Sequence, residues 1–587
     1  MRGPTCFSDN AACIVRKVAL IGSDVDYVEV MIFSHSLRVV LNGEGRNRTG
    51  DTTIFSRVLY QLSYLAEGPW ILPRARLSFA KLPRSMRQLP RKTTFLGVAC
   101  ASLLALGGCG GAEGDDAASP LDNALGYLPE DAPLVASIDT NVKGNQYESI
   151  GKIVDKFPFG ESVRSALKEV VEDEGGDYED IEPLLGNEFV VGASSARALR
   201  GDGGDDDFVG AVQAKNKDKL EETVKADKPK EDGEKNGAKL YKDDDGDSFA
   251  VKDDVLIVAG SKRLLEAALE QRDADDRLTE DTFDEATNDL PADALLRVSG
   301  DLQKLLASDP ETQDARKVKW VSALRTFGAT VSFKDDEANV GFRLRTDSGT
   351  LTEKDLPLAA GAASPSIVDR AGEVAAGIKD PTQIVDFAEK AGQAIDPSGY
   401  GDYAQAKRTI ERQLDLDIEN DLLDQLEGDL SITFAVNGKF GARSEVKDPR
   451  RFDRTLAKLG KVLPDVAESA TGGSVGYAKP KKGGDFYALA TADGDSVVYG
   501  VVDRVFVLAN DPRTAGQLSA EETEPVSGSK GSVVVNADAA QLVQQILGQL
   551  GGAGLAGAAV TGPLGDLTGS MSSETSGITG NFTLNFK

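Results

Sequence analysis

The chain has little histidine or cysteine: its 587 residues include one histidine, His35, and four cysteines, Cys6, Cys13, Cys100 and Cys109. All of these except Cys109 lie in a part of the sequence that we expect the mature protein to lack. The remaining chain has no Ser/His/Asp triad, no Cys/His dyad and no His or Cys set for zinc. We therefore predict no catalytic residue, no metal ligand and no cofactor, and stability that depends on core burial without an internal disulfide.

Several short matches to known sites lack the partners that their chemistry requires. Gly472–Gly476 fits a nucleophile elbow without a histidine, and Gly552–Gly557 fits a dinucleotide fingerprint but follows a helical pattern. Ser149–Lys152 resembles the Ser/Lys pattern of penicillin-interacting enzymes without the companion Lys-Thr-Gly. An EF-hand loop centred on Gly246 would place a tyrosine and a lysine where acidic ligands are needed. None of these matches predicts a site.

Residues 86–108 are organised as an export signal. Met86 is followed by three basic residues and then by the apolar stretch Phe95–Leu106. That stretch is too short to cross a bilayer, which takes about 20 apolar residues, and has the size of a signal-peptide core. We therefore predict a signal peptide and not a membrane-spanning helix.

The end of this signal resembles the lipobox of bacterial lipoproteins. The matching residues are Leu106, Gly107, Gly108 and Cys109. In that class of protein the signal is cleaved before the cysteine, whose thiol carries a diacylglyceryl group, and two or more acyl chains hold the protein firmly to the membrane. We predict lipid attachment at Cys109, followed by a flexible tether over residues 109–120. The alternatives are an ordinary secretory signal and a buried helix that contains a cysteine.

Residues 1–85 should not precede an export signal. Arg46–Thr49 and Tyr60–Tyr64 can be written as the complement of the T-arm and D-arm strings of a transfer-RNA gene, in the matching order. We therefore interpret Met86 as the start codon and residues 1–85 as an artefact of gene prediction. A genuine disordered extension is the alternative.

The chain from Cys109 onward is strongly acidic. Residues 1–108 hold 14 Lys and Arg and 7 Asp and Glu, which leaves 52 basic and 88 acidic residues and a net charge of −36. Such a surface repels phosphate backbones and anionic headgroups, so we predict no nucleic-acid partner and no electrostatic docking on membranes. Membrane contact is expected through the N-terminal lipid alone.

Two parts of the mature chain resemble each other. Asp245–Gly260 recurs as Asp493–Asn510, and the "LLGN" at Leu184–Asn187 corresponds to the "LEGD" at Leu426–Asp429. The hairpin patterns Phe327–Thr346 and Leu567–Phe586 correspond at a similar offset, between 240 and 250 residues. We predict a tandem duplication of one domain of about 225 residues.

Hairpin signals dominate over crossover connections, so the predicted fold class is α+β with mostly antiparallel sheets and flanking helices. Copy 1 is expected at 121–350, an Ala/Pro/Gly-rich linker at 351–366 and copy 2 at 367–587. Short apolar runs predict strands at Val255–Val258 and Val505–Leu508, and a one-sided apolar pattern predicts a helix at 163–171. The charged segments at 201–207 and 225–239 are interpreted as surface loops.

"LGYLPEDAPLVASIDTN" at 125–141, "LLGNEFVVG" at 184–192 and "DDVLIVAG" at 253–260 resemble a bacterial family known as domain of unknown function 3352. The resemblance covers about residues 121–587. It implies an envelope protein without an assigned activity and transfers no catalytic residue to this chain.

Two functions of different classes remain compatible with the sequence, and a transporter's solute-binding subunit is a third, which ranks lower because such receptors usually have two α/β lobes joined by crossovers. The favoured one is a lipid-anchored protein on the extracytoplasmic face of the cell membrane, which binds or scaffolds through the groove between its copies or an extended sheet surface. The alternative is a glycosidase-like extracytoplasmic hydrolase that uses paired carboxylates, a chemistry that needs neither histidine nor cysteine. The sequence does not nominate a carboxylate pair.

Overall fold

The computed structural model describes residues 118–130, 132–162, 185–193, 195, 207–227, 229–242, 248–370, 373–465, 468, 474–480, 486–491, 496–549 and 555–587. The predicted signal peptide, the lipobox and Cys109 lie outside these residues. So do the predicted helix at 163–171, most of the 201–207 segment and the turns at 245–246 and 493–494. Among the residues described, no helix is both long and apolar enough to cross a membrane.

The first half of the described chain combines seven helices with ten strands. In chain order these are α1 Pro120–Leu125, β1 Leu134–Asp139, α2 Asn145–Asp155, β2 Glu188–Ala193, β3 Phe208–Gln213, α3 Lys217–Asp227, β4 Lys230–Lys235, β5 Ala238–Lys242, β6 Ser248–Lys252, β7 Val255–Ala259, α4 Lys262–Gln271, α5 Glu280–Thr287, β8 Leu296–Asp301, α6 Leu302–Ser308, α7 Lys319–Ala323, β9 Leu324–Lys334 and β10 Glu337–Thr346.

The second half of the described chain has a similar composition of elements. In chain order these are β11 Ser366–Ile367, β12 Val374–Ile378, α8 Pro381–Ile395, α9 Pro397–Leu414, α10 Ile418–Asp421, β13 Leu426–Phe434, β14 Phe440–Val446, α11 Pro449–Leu459, β15 Val475–Ala478, β16 Phe486–Thr491, β17 Ser496–Val502, β18 Val505–Ala509, α12 Pro512–Ala520, β19 Glu524–Pro525, β20 Val533–Asp538, α13 Ala539–Gln549, α14 Leu555–Thr561, β21 Leu564–Glu574 and β22 Gly577–Phe586.

Twenty of these strands form one sheet, and both halves follow the same order of pairing. In the first half the spatial order is β4-β5-β6-β7-β3-β2-β1-β8-β9-β10, with every pair antiparallel. In the second half it is β15-β16-β17-β18-β14-β13-β12-β20-β21-β22, again antiparallel throughout. β10 pairs with β22 and joins the halves; we call this pairing the seam.

The seam has an internal symmetry. Gly341 pairs with Asn581, and each is the fifth residue of a ten-residue strand. A two-fold axis that relates the halves therefore passes between these two residues. β11 and β19 lie outside the large sheet and pair only with each other in a small two-stranded sheet.

The strands around the seam alternate between apolar and polar residues, because successive side chains of a strand point to opposite faces. On the apolar face, Phe327 is 3% and Ile578 0% exposed. Phe342 and Leu344 of β10 pack there against a cluster that includes Trp320, of α7. Helices and part of the segment 351–366, which connects the halves, thus cover much of the apolar face. Val340 remains 44% exposed on it.

Elements from both halves cover parts of the polar face. In the first half, α5 packs on it so closely that a Cβ on Gly328 would meet the carbonyl oxygen of Ala286. In the second half, Ile367 of β11 lies 3.0 Å from the position that a Cβ of Gly377 would occupy. Between these two covers the polar face of the seam strands is partly exposed.

Each outer arm of the sheet has its own core. In the first half, α1, α4 and α5 bury Leu125, Leu265 and Phe283 against strands such as β3 and β7. In the second half, α12 packs Ala515 and Leu518 against β17 and β18. Helices on both faces therefore stabilise the arms through apolar burial, the dominant favourable term in folding.

Several helices begin at a polar residue followed by proline. Ser119, Asp448 and Asp511 are N-caps whose side-chain oxygens accept backbone N–H groups of the first turn, and a proline follows each. Proline suits this first position because the N–H it lacks has no partner inside the helix. The caps satisfy otherwise unpaired donors, so the sequence itself sets these helix starts.

The fold confirms several sequence predictions. The class is α+β, with helices and an antiparallel sheet. The predicted hairpins are β9–β10 and β21–β22, and the predicted apolar strands are β7 and β18. Asp253, Asp254 and Asp503 lie in the tight turns before these two strands with positive φ angles of 50°, 70° and 54°.

The interpretation of residues 225–239 as a surface loop is wrong. Residues 225–227 end α3, and Lys230–Lys235 forms β4, an edge strand of the sheet. Its five charged residues are compatible with a strand because an edge needs charge to discourage pairing with other chains. The segment 351–366, expected as a linker, contributes Leu351, Leu356 and Ala359 to the core.

Candidate functional site

A row of polar side chains crosses the sheet at the seam, and we call it the polar floor. It consists of Asn339, Arg343 and Arg345 on β10, Thr579, Asn581 and Thr583 on β22, and Thr568, Ser570 and Ser572 on β21. The pairing is continuous from Glu337 to Arg345 and from Leu567 to Glu574, so these side chains share one face. All nine are at least partly exposed.

Two structures flank the polar floor. On the first-half side, the segment after α5 crosses β10, and Leu290 and Pro291 lie within 3.1 and 3.7 Å of where a Cβ of Gly341 would stand. On the second-half side, β11 lies on β12, and Ile367 packs with Ala375 and Val534. The cover of the first half thus reaches over the centre of β10, and the rest of the floor is partly exposed between the covers of the two halves.

Charge is concentrated at one end of the polar floor. Arg343 forms an ion pair with Asp289, and its Nη1 donates to the carbonyl oxygen of Asn288 at 3.4 Å. Burial lowers the pKa of Arg343, as does the neighbouring charge of Arg345, while Glu574 opposes the shift. The Nε and Nη2 atoms of Arg345 are buried without a hydrogen-bond partner within the described chain.

The floor residues at the other end are uncharged, and Glu337 lies in the next row, paired with Asn585. Thr583 donates a hydrogen bond of 2.6 Å to Oδ1 of Asn339. Asn585 lies just beyond, and its Nδ2 donates to the carbonyl oxygen of Asp566 at 3.2 Å. The Thr583 hydroxyl and the Asn585 amide at this end therefore have partners, in contrast to the buried Nε and Nη2 atoms of Arg345, which have none within the described chain.

A carboxyl with a raised pKa lies elsewhere, where β1 ends. Burial raises the pKa of Asp139 from 3.8 to about 6; the hydrogen bond from the Asn141 N–H opposes this shift, and the charge of Glu188 adds to it. Asp139 pairs with Glu188 across β1 and β2. Arg297 lies 3.9 Å from Glu188 and 2.7 Å from Asp284.

These carboxyl groups have local structural roles. Oδ1 of Asp139 accepts the Asn141 N–H at 2.7 Å, and the backbone carbonyl of Asp139 accepts the Tyr147 hydroxyl at 2.6 Å. Glu188 and Asp284 neutralise the buried Arg297. The hydrolase alternative therefore gains no support from this cluster. In the part of the chain that is described, no group of three or more His, Cys, Asp or Glu residues could hold a metal ion.

The predicted lipid-attachment site lies outside the described residues, but the point where its tether meets the fold is described. Ser119 caps α1, and Asp122 accepts the Glu280 N–H at 3.1 Å and pairs with Arg277 at 3.1 Å. Leu121 and Leu125 are 2% and 0% exposed. The chain is thus packed into the fold at residues 119–125.

The rejected Ser/Lys match can also be placed. Oγ of Ser149 accepts the Asp335 N–H at 3.2 Å, and Lys152 pairs with Glu148 at 2.9 Å. Both side chains have structural or solvent-facing partners, so the two do not form a nucleophile and base pair.

Sequence reasoning missed the polar floor. Its signal is present in the alternation of "EANVGFRLR" at 337–345 and "GITGNFTLN" at 577–585, which we interpreted only as hairpins. Alternation predicts that each strand has a polar face, but it does not predict that β10 and β22, which are far apart in sequence, pair with each other.

The described residues define an α+β protein built on one long antiparallel sheet, with a polar surface across its centre. The chain belongs to the family described as "Protein of unknown function (DUF3352)", which matches residues 95–465. This confirms the family resemblance, although the match ends before the second half does. No curated protein matches the chain.

Solved structures with some similarity are crystal forms of TP0453. Form III matches with 8% identity and a TM-score of 0.22 over 38% of this chain and 79% of that chain. Form I matches with 11% identity and a TM-score of 0.22 over 39% and 80%. Form IV matches with 8% identity and a TM-score of 0.18 over 38% and 80%. TM-scores at this level do not establish a shared fold.

Proposed function

We propose that this protein is a lipid-anchored binding protein on the extracytoplasmic face of the cell envelope, which holds its ligand on the polar floor. The observation that carries the binding function is the partly exposed strip of hydroxyl, amide and guanidinium side chains at the seam, flanked on both sides by elements of the two halves. A few convergent polar groups beside a packed scaffold are typical of ligand sites. No reactive group is assigned, so the proposed function is binding.

The symmetry of the seam supports a tandem duplication as the origin of this site. The two halves have the same pairing order, and Gly341 and Asn581 face each other at equal positions in strands of equal length. Residues 121–350 and 367–587 are the proposed copies. A site at the junction of two copies exists only when both are present, which explains why neither copy alone predicts it.

The anchor is proposed at Cys109, with Leu106, Gly107 and Gly108 as the recognition residues before it. Nine residues lie between Cys109 and Ser119, and the ten residue-to-residue steps of a fully extended chain reach about 33–36 Å. Since α1 is locked into the core at Leu121 and Leu125, the lipid would keep the first half within that distance of the membrane. A net charge of −36 beyond Cys109 favours neutral or weakly charged ligands over nucleic acids.

The anchor is tested by Cys109→Ala in the native host. We expect the variant to leave the membrane fraction or to accumulate as an uncleaved precursor, with an unchanged melting temperature, because the substitution leaves every core residue of the described fold, from Leu121 onward, in place. Mass spectrometry of the wild-type protein should give an acylated N-terminus at Cys109. Cys100→Ala, in the apolar part of the predicted signal, is the matched control and should remain anchored. Full membrane retention of Cys109→Ala would refute the anchor.

A further inference from the structure

Positive charge is concentrated around the helix α11 in a chain that is otherwise acidic. The fifteen residues that follow β14, at 447–461, include six basic and two acidic residues. The fifteen residues that follow β3, at 214–228, include five basic and four acidic residues. β3 and β14 occupy equal places in the strand order of the two halves, so the local excess of positive charge belongs to the second half alone.

The basic residues of α11 point to solvent. Four of them follow one another at intervals of four, four and three residues, which places them on one side of a helix. The opposite side packs Phe452 and Leu456 into the core of the arm. We call the solvent side the basic face, and it consists of Arg450, Arg454, Lys458 and Lys461.

Most of these charges have no ionic partner in the protein. Arg450, Arg454 and Lys461 are exposed and form no ion pair with any described residue. Lys458 donates to the backbone carbonyl of Asp415 at 2.6 Å, which leaves its charge without a carboxylate among the described contacts. The basic face is thus a row of cations that the fold itself does not neutralise.

The corresponding helix of the first half is different. α3 has three lysines, and each forms an ion pair with an acid: Lys217 with Asp254 at 2.8 Å, and Lys219 and Lys225 with acids of the same helix at 2.9 Å. Equal positions in the two halves therefore hold a neutralised surface and an unneutralised one.

We propose that the basic face of α11 docks on anionic phospholipid headgroups. A cluster of Lys and Arg on an amphipathic helix is typical of contacts with anionic lipid. Arginine suits a phosphate group because its planar guanidinium donates two parallel hydrogen bonds. This docking goes beyond the proposed ligand binding on the polar floor, and it adds a second membrane contact to the proposed lipid at Cys109.

The shape of the basic face favours a membrane over a small ligand. From Arg450 to Lys461 the row extends about 16–17 Å along the helix. The solvent side of a helix is convex, whereas small molecules bind in concave sites. An extended layer of headgroups can contact all four side chains of such a row at once.

The acidity of the rest of the chain does not cancel this attraction. The prediction against electrostatic docking on membranes treats the charge of the chain as uniform. At physiological ionic strength, however, charges are screened beyond about 8 Å. The residues close to the point of contact therefore decide whether an anionic surface is attracted, and around α11 these include an excess of cations.

The docking surface lies far from the proposed anchor. α1, where the tether meets the fold, packs on β2 and β3, and α11 packs on β17. Thirteen strand spacings separate β3 from β17 in the sheet, which is about 60 Å measured along it. A lipid near one arm and a basic face on the other would hold the protein at two distant points, and the first contact raises the effective concentration for the second.

The test is co-sedimentation with phosphatidylcholine vesicles that contain or lack phosphatidylglycerol. The protein is the chain from Gly110 onward, which keeps every described residue and has no lipid. We expect binding only to the vesicles with phosphatidylglycerol, and loss of binding at about 1 M salt, where the screening length falls to about 3 Å. Arg454→Gln should weaken the partition coefficient about fivefold, and the combined Arg450→Gln, Arg454→Gln and Lys461→Gln variant about 100-fold.

The matched control removes the same charge from the first half. Combined Lys217→Gln, Lys219→Gln and Lys225→Gln on α3 should leave the binding unchanged, because these lysines are already paired. A second control, combined Arg450→Lys, Arg454→Lys and Lys461→Arg, keeps the charge and should keep most of the binding. The melting temperatures of the α11 variants should equal that of the parent chain, because the altered side chains are exposed.

Four outcomes would overturn the inference. They are equal binding to both kinds of vesicle, unchanged binding of the α11 glutamine variant, an equal loss in the α3 control, and binding of dextran sulfate without binding of vesicles. The third would make the net charge of the chain the cause, and the fourth would replace the membrane by a soluble polyanion. Because the chain tested here has no Cys109, failure of the docking and failure of the anchor are distinguishable.

Discussion

The two ends of the seam have the same backbone and different side chains. Arg343 and Arg345 are the seventh and ninth residues of β10, and the residues at these places in β22 are Thr583 and Asn585. One end holds an ion pair and a guanidinium with two buried, unpaired nitrogens, and the floor residues at the other end form neutral hydrogen bonds. The common strand order therefore sets where a site lies, while side-chain differences between the halves decide what it recognises.

The same contrast occurs in the buried part of the sheet. Arg297, the second residue of β8, is 8% exposed and pairs with Asp284. Val534, the second residue of β20, is 0% exposed and packs with Ile367 and Val526. Placing a charged residue at Val534 and an apolar one at Arg297 is therefore the strongest test of this difference between the halves.

Val534→Arg should have the largest effect. It would place a charge without a carboxylate partner in an apolar cluster, which costs about 3–5 kcal/mol of the free energy of unfolding. The reverse change, Arg297→Met, should cost only about 1 kcal/mol, because the carboxylates that it leaves without a partner, on Asp284 and Glu188, are 49% and 34% exposed and stay solvated. Urea unfolding of both variants measures the asymmetry, and similar losses in the two variants would contradict it.

Gly577→Ala should have the next largest effect. Gly577 has a φ angle of +141°, and a Cβ there would collide with the carbonyl oxygen of Leu344 across the seam. We expect a loss of about 3 kcal/mol from strain and displacement of β10. Its counterpart at the first position of β10 is Glu337, and Glu337→Ala should change stability by less than about 0.5 kcal/mol. A mild Gly577→Ala phenotype would show that the seam can shift without cost.

Asp139→Asn should have the smallest effect and should depend on pH. Burial raises the pKa of Asp139 from 3.8 to about 6, so the native state binds this proton more tightly than the unfolded chain. The stabilisation is complete below pH ~4 and is lost as the pH rises through about 6. After a discount for partial exposure, the variant should gain about 1 kcal/mol at pH 7 and nothing at pH 4.

The control for that measurement is in the second half. The N–H of Asp139 donates to the carbonyl of Leu295, and the N–H of Lys379 donates to that of Ser532 at the matching place. Lys379→Met removes no carboxyl group, so it should leave the slope of stability against pH unchanged. A gain by Asp139→Asn that is equal at pH 4 and 7 would mean that the titration is not the cause.

Local parts of this architecture were predictable from the sequence, and long-range parts were not. The hairpins β9–β10 and β21–β22 and the strands β7 and β18 follow from alternation, apolar runs and turn residues. The seam depends on the pairing of Glu337–Arg345 with Gly577–Asn585, which no local pattern specifies. The sequence did not predict β4, because charged residues are typical of surface loops as well as of edge strands.

The candidate site follows the same division. The sequence identifies arginine, threonine and asparagine on one face of each strand, but not that Arg345 lies opposite Gly577 and in line with Glu574. The lack of a partner for the Nε and Nη2 atoms of Arg345 is a tertiary property, since it depends on Asp289 being held by Arg343. The lipobox, in contrast, consists of adjacent residues and can be recognised without knowledge of the fold. It remains a prediction.

The seam also has a consequence for either half on its own. Without its partner, the first half would end in β10, a ten-residue strand whose outward N–H and C=O groups have lost the pairing to β22. Such an edge invites another chain. Two copies could align antiparallel with one Gly341 opposite the other, which is an isologous contact that closes on itself instead of growing into a fibre. If the two halves arose by the proposed duplication, a single-copy ancestor would on this basis have been a homodimer, and joining the copies in one chain would have made that union permanent.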